Sequence, residues 1–183
     1  DLDLVFINSG CAGETLADAA LGQRAIENSM FYARLGQRII HILSTRTVSG
    51  TIYDVDMRLR PSGNSGMLVA SLASFARYQE KDAWTWEHQA LVRARVVAGC
   101  SALAVKFDEV RQHVLGRVRD KPQLKQEVLE MRRKMREQLD QSNEHFFDLK
   151  HGRGGIVDLE FLVQYAVLAR GHEFPSLLTW TDN

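Results

Sequence analysis

Residues 51–66 read T-I-Y-D-V-D-M-R-L-R-P-S-G-N-S-G, and their alternation constrains the rest of the chain. A β-strand sends successive side chains to opposite faces. A strand over 51–60 therefore carries Tyr53, Val55, Met57 and Leu59 on an apolar face. Asp54, Asp56, Arg58 and Arg60 fall on the other, which holds only charge. The chain opens on a second stretch of the same kind, with Asp1 and Asp3 opposed to Leu2, Leu4 and Phe6. If the two strands are neighbours, three or four carboxylates gather on one sheet surface. Such a cluster is repulsive unless cations sit within it.

Two readings follow. In one, the acids ligate a divalent metal, with two arginines beside it. Hard cations such as Mg²⁺ take oxygen ligands and complete their shells with water and phosphate. In the other, the acids belong to a surface strand and pair with Arg58 and Arg60. Asp54 reads as a neighbour that pairs with an arginine.

The remaining chain predicts an α+β protein whose small mixed or antiparallel sheet lies in the first seventy residues, followed by helices. Phe31, Leu35, Ile39 and Ile42 mark a helix over 29–44. Residues 61–66 form a turn by composition, and Met67 to Ala70 return as a paired strand. Helices are expected over 71–80 and 83–98, the second packing through Trp86, Ala90, Ala94 and Val97 and stopping at Gly99. Leu103, Phe107, Val110 and Val114 mark another. Leu124, Val128, Met131, Met135 and Leu139 follow Pro122 at a helix start. Ile156, Leu159, Val163 and Ala166 open the last. The domain boundary is drawn between Gly116 and Pro122, giving 1–118 and 119–183.

Lys plus Arg and Asp plus Glu both number 23, so net charge gives no sign of nucleic acid. No apolar run is long enough for a membrane span, and no signal peptide is recognised. Cys11 and Cys100 make no C-x-x-C pair, which fits a reducing, cytoplasmic setting. The six histidines have no metal-binding spacing. The basic run from Arg117 to Arg136 has acids interspersed and reads as a solvated helix surface. Ser62-Gly63-Asn64-Ser65-Gly66 reads either as a hairpin loop or as backbone that cradles phosphate. Arg93 and Arg95 belong to a solvated helix face or reach a nucleotide. Asp158 and Glu160 are expected to meet Lys150 or Arg153, or to cap their helix.

D-L-D-L-V-F at 1–6 and Y-D-V-D-M-R-L-R-P-S-G-N-S-G-M-L-V at 53–69 resemble the DNA polymerase β-like nucleotidyltransferases. The chain is more similar to the two-headed glutamine synthetase adenylyltransferases within that superfamily. The resemblance continues through W-T-W-E-H-Q-A-L-V-R-A-R-V-V-A-G at 84–99 and G-G-I-V-D-L-E-F at 154–161. W-T-W-E-H-Q-A-L looks like the adenylylating half rather than the AMP-removing half.

The resemblance implies transfer of AMP from ATP to a tyrosine of glutamine synthetase. It implies Mg²⁺ or Mn²⁺ held by Asp1, Asp3 and Asp56. Arg58, Arg60, Ser62 and Gly63 would meet the nucleotide, and the PII signalling protein would regulate the reaction. Alternatives are the phosphorolytic, AMP-removing reaction and a non-catalytic docking module. The family's Gly-Ser phosphate turn lies upstream of the first aspartate. The chain as given opens at that aspartate, which suggests a piece of something longer and predicts weakened nucleotide binding.

Overall fold

The computed structural model describes residues 2–10, 12–51 and 53–179. They fall into two compact units, residues 1–82 and 83–183. The first is α+β and the second, among the described residues, is helical.

Unit one carries four short strands, β1 (Leu2–Asp3), β2 (Phe6–Asn8), β3 (Val55–Asp56) and β4 (Val69–Ser71). β1 pairs with β3 and β2 with β4, both in parallel. Among the described residues the mixed or antiparallel sheet expected from sequence is replaced by these two parallel pairs, and antiparallel pairing is limited to isolated bridges such as Glu14 with Glu27. The reason lies in the turn. Residues 57–66 fold into successive tight turns instead of extending the strand, so β4 leaves beside β2 and not beside β3. Gly66 permits this, because a Cβ there would lie 1.9 Å from the Pro61 carbonyl oxygen.

Two helices complete the unit, α1 (Asn28–Ser44) and α2 (Leu72–Lys81). Ser71 ends β4 and caps α2, its hydroxyl accepting from Ser74 N–H at 3.1 Å. The expected α1 stripe is a correction: Phe31, Leu35 and Ile42 are exposed. The helix packs instead through Gly36, which is buried against Phe6, Leu68 and Val69. A glycine carries no apolar weight in a periodicity count, so the true contact face is underweighted in the sequence.

Unit two contains α3 (Thr85–Val92), α4 (Ser101–Leu115), α5 (Lys121–Leu139) and α6 (Ile156–Arg170). Asp120 caps α5 by accepting from Gln123 N–H at 2.8 Å, and Pro122 sits in its first turn. Leu91, Val114, Leu115, Leu124, Val128, Val157 and Leu168 are buried together with Leu178, which ends the short 3-10 helix Pro175–Leu178. Each such side chain contributes about 1.5–3 kcal/mol by leaving water.

The helix expected over 83–98 stops at Val92. Arg111 of α4, almost wholly buried, explains why. It donates from Nε to Leu91 O at 3.0 Å, from Nη2 to Val92 O at 2.5 Å, and from Nη1 to Leu178 O at 2.5 Å. A guanidinium thus takes two carbonyls that a longer α3 would have used itself. Val97, expected to pack, is exposed.

Candidate functional site

The ladder between β1 and β3 sets the geometry. Leu2 N–H donates to Asp54 O at 2.7 Å and Leu4 N–H to Asp56 O at 2.9 Å. In this register Leu2 lies opposite Val55 and Asp3 opposite Asp56. Parallel neighbours stand about 4.8 Å apart, and register partners send side chains to the same face. Asp3 and Asp56 are therefore adjacent carboxylates on one surface. Asp3 is exposed and Asp56 half-buried. Asp1, the third expected ligand, lies outside the described residues.

Asp56 already has a cationic partner. Its Oδ1 accepts from the backbone N–H of Arg58 at 2.8 Å, and its Oδ2 from Arg58 Nε at 2.7 Å. The Arg58 guanidinium holds the Asp56 carboxyl below its usual range, against a smaller opposing effect of burial. Asp56 raises the Arg58 pKa in return, and Asp3 adds to the effect. The arginine side chain stays largely exposed.

Arg60 points elsewhere. It donates from Nη1 to Met57 O at 2.7 Å and from Nη2 to Asn64 O at 3.4 Å, bracing the turn it enters. Arg58 and Arg60 lie beyond the end of β3, so the charged face predicted as one continuous strand divides into a ladder and a braced turn. Asp54 contributes its carbonyl to the ladder and its side chain is exposed.

Ser62 has φ 61°, the one positive-φ residue other than glycine among those described, and Gly63 follows at φ 53°. The amides of Gly63, Ser65 and Gly66 donate within the turn to Arg60, Ser62 and Gly63 carbonyls. Ser62 lies on the wall of a cleft of about 620 Å³. Asn8, Ser71 and Ser74 line it with Ser62 and Ser65, along with Glu27 and Ser29 at the start of α1. Asn8 and Ser71 are register partners at the ends of β2 and β4, and both strands give their ends to the cleft. Neither residue stands out in the sequence as a site candidate. The available signal was Ser71, a helix-capping type directly after an apolar strand.

The donor chemistry of Asp3 and Asp56 fits a hard cation, with two carboxylates side by side. Among the described residues no group of three or more His, Cys, Asp or Glu stands ready to hold a metal ion.

In unit two, Asp158 meets neither Lys150 nor Arg153. Its Oδ1 accepts from Arg132 Nε at 2.5 Å and from Arg136 Nη2 at 3.3 Å, and its Oδ2 accepts from Gly154 N–H at 2.6 Å. Glu160 accepts from Arg93 Nη1 at 2.6 Å. Arg132 is buried, and it also donates to His151 O at 2.8 Å. These contacts fasten the glycine-rich loop 152–155 to α5. Arg119 is half-buried, its pKa lowered to about 10 by that burial.

No helix among the described residues is long and apolar enough to cross a membrane. Residues 123–182 match the family model of the GlnD PII-uridylyltransferase. Bifunctional glutamine synthetase adenylyltransferase/adenylyl-removing enzymes are similar over the whole chain. That of Hahella chejuensis is 53% identical over 188 residues, that of Shewanella oneidensis 55% over 184, and that of Pseudomonas aeruginosa 54% over 198. Each alignment covers 100% of this chain and 19%, 19% and 20% of the respective relative, so the chain spans about a fifth of their length. Residues 1–110, which include Asp3, Asp56 and the cleft, match the model of the glutamate-ammonia ligase adenylyltransferase, and the chain belongs to that family.

Proposed function

We propose that this chain is the core of the adenylylating half of its enzyme, transferring AMP from ATP to a tyrosine of glutamine synthetase. The observation that carries the reading is the register pairing of Asp3 with Asp56 inside the span matched by the adenylyltransferase model. The fold is then that of a polymerase β-like nucleotidyltransferase. The adenylylating assignment rests on W-T-W-E-H-Q-A-L at 84–91.

Asp3 and Asp56, with Asp1, would hold Mg²⁺ or Mn²⁺. When bound, the ion supplies positive charge for the triphosphate and for a phenolate. A free phenol has a pKa of about 10 and needs help to lose its proton. Asp56 takes that proton as the tyrosine oxygen bonds to the α-phosphorus. The bond from that phosphorus to the bridging oxygen breaks, and pyrophosphate leaves. Arg58 suits the phosphate oxygens, because its fork binds two at once and its side chain is largely exposed. Arg60 serves the same end by bracing the turn that presents Ser62 and Gly63 to the nucleotide.

The functional division lies at 118/119, between the spans of the two family models. The second model supports residues 119–183 as a helical module that takes part in PII control. The enzyme works in the cytoplasm, where glutamine synthetase is.

The test uses the full-length protein with both forms of glutamine synthetase. Labelled AMP should enter the unmodified form, and Asp56→Asn should lower that rate at least a hundredfold. ADP release from the modified form, lost in Asp56→Asn while AMP transfer persists, would assign this chain to the removing half. Unchanged rates in both directions would leave only the docking role.

A further inference from the structure

Helix α6 is built inside out. Three of its polar side chains engage residues elsewhere in the unit: Asp158 with Arg132 and Arg136, Glu160 with Arg93, and Gln164 with Gln89 at 3.0 Å. Its apolar side chains occupy two faces. Val157 and Leu168 are buried in the core of the unit. Ile156, Leu159, Leu162 and Val163 are 58%, 63%, 63% and 59% exposed. At about 100° per residue these four, with Ala166, span an arc of roughly 120°, the width of a core-facing stripe. Leu149, whose carbonyl accepts from Ile156 N–H, extends the arc and is 72% exposed.

A helix apolar on both sides belongs in an interior. We infer that the outer face of α6 is an intramolecular interface, covered in the full-length enzyme by an apolar helix face from the four-fifths of the polypeptide beyond this chain. Two observations choose that occupant. The chain spans only 19% of relatives that match it over its whole length, so a large body of the same polypeptide is available. From Ile156 to Ala166 the arc contains no charged residue, Arg170 at its C-terminal end pairs with Glu173, and Asp158, Glu160 and Gln164 are engaged by residues elsewhere in the unit. That is the composition of a permanently buried surface; partners that come and go meet a more polar surface. The inference does not depend on which reaction the enzyme performs.

The experiment places a photo-crosslinking phenylalanine analogue at Leu162 of the full-length protein. Digestion and mass spectrometry after illumination should find the adduct within one polypeptide, on a segment outside these 183 residues. A crosslink joining two copies, a crosslink within the 183 residues, or a water-quenched probe would each overturn the inference. In parallel, Leu159→Glu with Leu162→Glu should lower the Tm of the full-length protein by roughly 5 °C or more. An unchanged Tm would count against the interface, because two carboxylates on a solvated face cost little.

Discussion

Asp56 holds Arg58 through both of its oxygens, the backbone N–H on one and the guanidinium on the other. The pair lies two residues apart in the chain, so the contact is local and its partner Asp3 arrives from another strand. One carboxylate is thereby shared between a built-in cation and whatever cation function requires.

Arg58→Gln should release that carboxylate. With the guanidinium gone, the Asp56 pKa rises toward the ordinary value of about 3.9. A side-chain carboxyl NMR titration of wild type and variant reads this directly. An unmoved Asp56 would mean that the contact does not persist in solution.

Arg111→Met should destabilise the helical unit by about 3 kcal/mol or more, because the buried Val92 and Leu178 carbonyl oxygens lose the Arg111 donor and Leu91 O loses it too, keeping Ala94 N–H. Urea unfolding measures the loss, and amide exchange at the end of α3 should quicken first. Arg111 is a structural arginine, and its burial lowers its pKa.

Asp158 gives a pH dependence. Burial alone would raise its pKa, but Gly154 N–H, Arg132 and Arg136 together outweigh burial and leave it lowered. A depressed folded pKa means that stability is present above the unfolded value and lost as pH falls through the folded one. Thermal melts should therefore weaken as pH drops below about 4. Asp158→Asn should flatten that dependence and cost about 3–5 kcal/mol at neutral pH, since Arg132 is left as an uncompensated buried charge.

Glu173 is lowered to about 2, held by Lys121 Nζ and Arg170 Nη1, each at 2.7 Å. Its carboxyl resonance should stay in the ionised position through pH 3. In Lys121→Ala the midpoint should move upward, with Arg170 keeping part of the shift.

Gly66→Ala should collapse the turn. A methyl group 1.9 Å from the Pro61 carbonyl cannot be accommodated without moving backbone. Chemical-shift changes should spread from 57–66 to Asn8 and Ser71 across the cleft, and nucleotide affinity of the full-length enzyme should fall if the turn presents phosphate contacts.

The helices of the second unit were readable because apolar residues repeat at helical spacing, Val110 and Val114 in α4 and Leu124 and Val128 in α5. The proximity of Asp3 and Asp56 was readable too, since each stretch alternates acid with apolar. Parallel pairing was not, because alternation reports which face a residue takes and says nothing of strand direction. The end of α3 was also illegible, since it depends on Arg111, nineteen or more positions away. Gly36 escaped for a third reason: its contact with Phe6 and Val69 is made by the absence of a side chain.

Both strand pairs in the first unit join residues more than fifty positions apart, Leu2 with Val55 and Phe6 with Val69. A long loop must close before either ladder gains anything. On leaving the ribosome, the opening acidic segment therefore waits unpaired until the residues of β3 and β4 have been synthesised.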